Sequence, residues 1–167
     1  GTAHLMGVVS DGGVHGHILH ILAAARLIAG AGVPVVIHAI TDGRDVPPTS
    51  ADGFVAQLVA GLPTGARVGT VIGRYYAMDR DKRWERVREA YDLLVKGKGT
   101  AYTNAADAVA TSYDEGVTDE FMKPHVRVDV QGRPVGRIQS GDAVIFINFR
   151  NDRAKELTTV LTQAEIE

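Results

Sequence analysis

Four apolar runs punctuate the chain, and each stops at a cluster of Gly, Asp, His and Arg. They read Leu5-Met-Gly-Val-Val-Ser-Asp-Gly-Gly-Val-His15, Val35-Val-Ile-His-Ala-Ile-Thr-Asp-Gly-Arg-Asp45, Val68-Gly-Thr-Val-Ile-Gly-Arg-Tyr-Tyr-Ala-Met-Asp-Arg80 and Ala143-Val-Ile-Phe-Ile-Asn-Phe-Arg-Asn-Asp-Arg153. Short continuous apolar runs that alternate with helical patterns are the mark of parallel strands buried on both faces. Helices are predicted from His17 to Gly30, where Gly30 and Gly32 supply stop signals, and from a Thr49 or Ser50 cap to about Gly61. A longer one starts at Asp79 or Asp81 and runs through Lys96, with Trp84, Val87, Tyr91, Leu94 and Val95 at helical spacing. Asn104 caps another over Ala105 to Glu115, and Ala154 to Glu167 reads as a last one. Val126 to Val130 and Val135 to Ile138, joined through Gln131-Gly-Arg-Pro134, read as a β-hairpin. The fold class expected is α/β: a mostly parallel sheet with helices on both faces and right-handed crossovers, plus the added hairpin.

Composition changes this picture little. The 167 residues are enough for one domain, residues 1–167, with a core of its own, and both ends read as cuts inside a longer protein. Hydrophobic residues make up 45% and the net charge is −2, which argues against a general nucleic-acid or membrane binder. There is no cysteine, so disulfide and thiolate chemistry are excluded; this fits the cytoplasm.

Chemistry gathers where the runs end. In open α/β sheets, ligands bind outside the carboxyl ends of the strands. Arg44, Arg74, Arg80, Arg150 and Arg153 stand there with His15 and Asp45. Arginine forks match carboxylate and phosphate, so the pattern points to a pocket for a small, multiply charged anion. Five guanidiniums on one edge also need anions or carboxylates to neutralise them. Arg26, Arg67, Arg86, Arg88 and Arg133 are assigned to ordinary surface pairs. Asp45 is either a partner for a neighbouring arginine or a proton-transfer group for a substrate hydroxyl. His15, His17 and His20 have the look of a metal site, but no cysteine or acidic run completes it, and no metal is expected. His15 is placed at the pocket and the other two at the helix start. Ser10-Asp11-Gly12-Gly13 could nest a phosphate on backbone N–H groups. No nucleophile stands out.

These same residues closely resemble the cofactor-independent phosphoglycerate mutases. The matching stretches are the run from Leu5 to His15, Asp42-Gly-Arg-Asp-Val-Pro-Pro48, Gly73-Arg-Tyr-Tyr-Ala-Met-Asp-Arg-Asp-Lys-Arg-Trp84, Thr118-Asp-Glu-Phe121 and Asn148-Phe-Arg-Asn-Asp-Arg153. Gly16 stands where serine is common and Asn151 where proline or serine is usual. The resemblance implies an isomerase of glycolysis that interconverts 2-phosphoglycerate and 3-phosphoglycerate. It also implies a monomer of two domains, of which this chain is only the inserted substrate-binding, or transferase, domain. The phosphatase-like partner domain would carry the phosphorylated serine and two Mn2+ ions; this chain lacks the family's Asn-Ser-Glu-Val-Gly-His segment and would be inactive alone, with no cofactor of its own. The substrate contacts fall on His15, Arg44, Asp45, Arg74, Arg80, Arg150 and Arg153, with Asp45 as the catalytic proton carrier. Two other classes stay open: a stand-alone anion-binding domain and a histidine-dependent metal hydrolase.

Overall fold

A computed structural model describes residues 1–163. The chain alternates as the runs predict. β1 (Ala3–Val8), β2 (Val35–Thr41), β3 (Ala66–Gly73) and β6 (Ala143–Ile147) are parallel neighbours in a six-stranded sheet of order β4-β5-β3-β2-β1-β6. β4 (Thr100–Tyr102) pairs parallel with β5 (His125–Arg127), and β5 is antiparallel to β3. β1 and β2 are buried along their whole length, which is why they read as unbroken apolar runs rather than alternating ones.

Helices cover both faces. Leu5, Ile37, Val68 and Val71 form one core with Ile21 and Leu22 of α1 (Ile18–Gly30), Val55 and Leu58 of α2 (Ala51–Gly61) and Val109 of α5 (Ala105–Asp114). Met6, Val8, Ile40 and Ile72 form the other with Leu93 and Leu94 of α4 (Trp84–Lys96) and Leu157 and Val160 of α6 (Lys155–Thr162). His17 and Asn104 cap α1 and α5 through their side chains, accepting from Leu19 N–H and Ala106 N–H. The end of the last predicted helix, 164–167, lies outside the described residues.

Four local expectations change. The hairpin reduces to a tight turn: Val128 and Pro134 form a single bridge, Val135 N–H donates to the Arg127 carbonyl, and the pairing stops there, with Ile138 N–H donating to the Leu94 carbonyl. The α4 helix begins at Trp84, not at Asp79. The Asp79 carboxylate accepts Asp81 N–H and Arg83 N–H and holds a loop ahead of the helix, with Lys82 at φ 56°. A four-residue helix, α3 (Arg74–Ala77), follows β3 directly. The Ser50 side chain makes no cap of α2. Ser50 N–H and Ala51 N–H donate to Asp119, 69 and 68 residues away. Asp119 opens a 3-10 turn (Asp119–Phe121) that closes over the ends of β2 and β3. Gly73 permits this approach: a Cβ there would overlap the Glu120 carbonyl and Met122 N.

Candidate functional site

The carboxyl end of β3 delivers Arg74 into the centre of the site. Its side chain is 2% exposed, and its Nη1 donates to Asp42 Oδ1 at 2.8 Å and to Asp45 Oδ2 at 2.7 Å. Asp42, at the end of β2, is equally buried and organises the turn that carries Arg44 and Asp45. It accepts their backbone N–H groups on Oδ1 and the Ser10 hydroxyl on Oδ2. Gly43 takes the left-handed backbone (φ 65°) that this turn needs while packing on Asp119. Burial alone would lower the basicity of Arg74, but hydrogen bonds to Asp45 and Asp42 raise it further, so it is a fixed cation. Burial alone would raise Asp42, but the Ser10 hydroxyl, the Asp45 N–H and Arg74 hold it below the usual carboxylate range.

Around Arg74 lies a cavity of about 220 Å³, lined by Arg44, Tyr75, Asp79, Arg80, Arg86, Glu120, Phe121 and Arg153 among others. Four of the five strand-end arginines thus share it: Arg44, Arg74, Arg80 and Arg153. Arg150 is not among its lining residues; its Nη2 donates to Asp152 Oδ2 at 2.9 Å, and that oxygen also accepts from Arg80 Nη1 at 3.1 Å. Asp45 and His15 join through Arg74: His15 Nε2 stands 4.0 Å from Asp45 Oδ2. His15 is buried and its Nδ1 has no hydrogen-bond partner. Desolvation, and then the Arg74 charge, push its pKa below the ordinary value, so it is neutral near pH 7.

One residue assigned above to an ordinary surface pair belongs here. Arg86 lines the cavity, lies 3.7 Å over the Tyr75 ring and stands 3.6 Å from Asp79. Its place three residues into α4 gave no sign of this, because the loop held by Asp79 sets the direction of the helix. At Ser10 to Gly13, where a phosphate nest was expected, Gly12 N–H donates to the Ser10 hydroxyl, which is itself turned onto Asp42. The described residues hold no group of three or more His, Cys, Asp or Glu placed to bind a metal ion; His17 caps α1 and His20 meets the Phe149 ring. No helix among them is long and apolar enough to cross a membrane.

Carboxylates thus neutralise most of the cationic edge. Arg44 stands 3.7 Å from Glu120, Arg74 is paired twice, Arg80 meets Asp152 and Arg86 faces Asp79. Arg153 is the exception. Among the described residues it has no carboxylate within 4.0 Å, its Nη1 donates only to the Met78 carbonyl, and its buried Nε has no partner. Its pKa is lowered by desolvation and then by the neighbouring Arg74 and Arg80.

Fold and site together define an α/β domain with an arginine-lined pocket at the carboxyl edge of a parallel sheet. The chain belongs to the BPG-independent PGAM N-terminus family, which it matches over residues 1–167. It is 56% identical over 165 residues to the 2,3-bisphosphoglycerate-independent phosphoglycerate mutase of Paracoccus denitrificans, covering 99% of this chain and 32% of that protein. It is 60% identical over 157 residues to that of Agrobacterium fabrum, covering 94% and 30%. A crystal structure of Leishmania mexicana phosphoglycerate mutase at low cobalt concentration superposes with a TM-score of 0.93 at 35% identity, over 99% of this chain and 32% of that one. The chain therefore spans about a third of the length of the relatives it matches.

Proposed function

We propose that this chain is the phosphoglycerate-gripping domain of a 2,3-bisphosphoglycerate-independent phosphoglycerate mutase, a glycolytic isomerase. The carrying observation is Arg153, a half-buried guanidinium with no carboxylate within 4.0 Å among the described residues, in a pocket whose other cations are already paired. An uncompensated cation with a free donor calls for an oxyanion. The relatives' names supply which one: a phosphoglycerate, with a carboxylate and a phosphate to share among Arg44, Arg74, Arg80, Arg150 and Arg153.

On this reading a phosphatase-like domain completes the enzyme, a cytoplasmic monomer. Two manganese ions there would activate a serine and stabilise phosphoryl charge. The present chain holds the glycerate. When the serine oxygen takes the phosphoryl group, the P–O bond to glycerate breaks, and Asp45 relays to the leaving oxygen the proton that the serine hydroxyl releases. Glycerate turns, its other hydroxyl attacks the phosphoserine, the P–O bond to serine breaks, and Asp45 takes the hydroxyl proton back. Asp45 is suited to this by position: its Oδ2 is fixed by Arg74, yet its side chain remains 21% exposed. Closure of the two domains would exclude water and protect the phosphoserine.

Titrating the pure chain with 3-phosphoglycerate, read on the His15 ring by NMR, tests the assignment. A bound anion offsets the arginine charges that depress His15, so its pKa should rise toward the ordinary value. Binding should be weak and fade with salt. Arg80→Ala or Arg153→Ala should lose about tenfold or more, the range for a hydrogen bond between charged groups. Arg133→Ala is the control; that side chain is exposed and pairs with Asp129. A wild-type chain that leaves His15 unmoved at millimolar ligand refutes the assignment. With 3-phosphoglycerate and manganese the chain alone should show no mutase turnover, and metal-dependent turnover would overturn the division of roles.

A further inference from the structure

Asp152 holds together two arginines that otherwise repel. Its Oδ2 accepts from Arg80, on the loop after α3, and from Arg150, on the loop after β6. Neither arginine has another carboxylate within 4.0 Å among the described residues. The side chains of Asp152, Arg80 and Arg150 are 34%, 42% and 49% exposed, so charge rather than packing keeps the three together. Among the described residues Asp152 Oδ1 has no hydrogen-bond partner. Desolvation would raise this carboxyl, but the Arg80 hydrogen bond and the Arg150 charge hold it ionised.

We infer that Asp152 is an internal stand-in for one anionic group of the ligand, one that the second anionic group of a two-headed ligand must displace. The inference rests on the function proposed above. Arg153 is the open position: it lines the cavity and has no carboxylate within 4.0 Å among the described residues. A ligand with a single anionic group settles there and leaves Asp152 in place. A second anionic group that engages the Arg80–Arg150 fork takes both arginines from Asp152, whose carboxylate then turns to solvent. The exchange is feasible because exposed ion pairs are individually weak. Until the exchange, Asp152 keeps Arg80 and Arg150 from splaying apart, so the fork is already formed when the ligand arrives.

The experiment is calorimetric titration of the wild-type chain and Asp152→Asn with 3-phosphoglycerate and, separately, with inorganic phosphate. Asn keeps the shape and removes the competing charge. 3-Phosphoglycerate should bind Asp152→Asn about threefold to tenfold more tightly than wild type, the scale of releasing exposed ion pairs. Inorganic phosphate should gain clearly less. Asp152→Ser should reproduce the pattern, and thermal melts of both variants should match wild type. Equal tightening for both ligands would mean that Asp152 acts only as a distant charge, and weaker 3-phosphoglycerate binding would mean that it is a needed positioner; either result overturns the inference. If the wild type binds neither ligand, the proposed function itself falls, which is a different outcome from a failure of Asp152 alone.

Discussion

Arg74→Ala should destabilise the folded chain by about 3–5 kcal/mol, the scale for removing one partner of a buried ion pair. Arg74 and Asp42 are 2% and 3% exposed, and one guanidinium nitrogen serves both Asp42 and Asp45. Without it, Asp42 keeps the Ser10 hydroxyl and two backbone N–H groups but loses the cation paired with it, so its carboxyl must rise in pKa or remain an uncompensated buried charge. The turn bearing Arg44 and Asp45 hangs from the same carboxylate and should loosen with it. Urea denaturation at pH 7 reads the effect. Arg80→Ala, an exposed position, should hardly move the midpoint. Arg74→Lys keeps the charge but not the planar fork, and should fall between wild type and Arg74→Ala. The double variant Asp42→Asn, Arg74→Met should lose less than the two single losses combined, because a neutral pair leaves no orphaned charge. If Arg74→Ala lowered stability no more than Arg80→Ala does, the buried pair would not be holding this corner of the fold.

The parts of the structure that were legible in the sequence are those set by neighbours in the chain. β1, β2 and β3 stood out because strands buried on both faces cannot hide their apolar runs; β6 is as apolar in sequence, yet it is an edge strand with Val144 and Ile145 exposed. Asn104 announced α5 because a cap acts within three residues. Arg44, Arg74, Arg80 and Arg153 were legible as one group because the carboxyl ends of parallel strands share an edge. What the sequence hid was set by distant partners. Asp119 caps α2 from across the sheet, so Ser50, the local candidate, makes no side-chain cap. β4 is three residues long and exists only because β5 lies beside it. Arg86 reads as one charge in a run of solvated residues, and nothing short of the Asp79 loop turns it onto Tyr75. Asp152 follows the same rule: its role depends on two loops meeting, and the chain separates Arg80 from Asp152 by 72 residues.

Acid should weaken the fold well before Asp142 protonates, because of a histidine pair buried in the sheet. A register shift after Ile37 in the β2–β3 pairing skips Gly69 and sets His38 beside Thr70. A hydrogen-bonded chain then crosses the sheet: Asp142 Oδ2 to His4 Nε2, His4 Nδ1 to His38 Nε2, and His38 Nδ1 to Thr70 Oγ1, each 2.8 Å. The terminal carboxylate orders the neutral chain. His4 Nε2–H donates to Asp142, so His4 Nδ1 accepts from His38 Nε2–H, and His38 Nδ1 accepts from the Thr70 hydroxyl. Complete desolvation, and then the neighbouring His4, push the His38 pKa down to about 3 from 6.5. Between these values the unfolded chain takes up a proton that the folded chain refuses, so stability falls as pH drops below about 6.5. Each pH unit well inside the window removes about 1.4 kcal/mol, which gives roughly 3 kcal/mol between pH 6.5 and 4 from this residue. His15 and His125 are also lowered by burial and add to the same trend. Asp142, lowered to about 2 by the Thr2 N–H, His4 and the Gln139 N–H, adds its loss only below the ordinary carboxylate range, so it leaves the window from pH 6.5 to 4 clear. His38→Gln can keep a donor and an acceptor in the chain but cannot titrate. It should be less stable than wild type at pH 7, yet its stability should decline more gently toward pH 4, so the two curves converge. Denaturant unfolding of both proteins across that range gives the difference in slope directly, and parallel curves would mean that His38 is not the group whose protonation the fold resists.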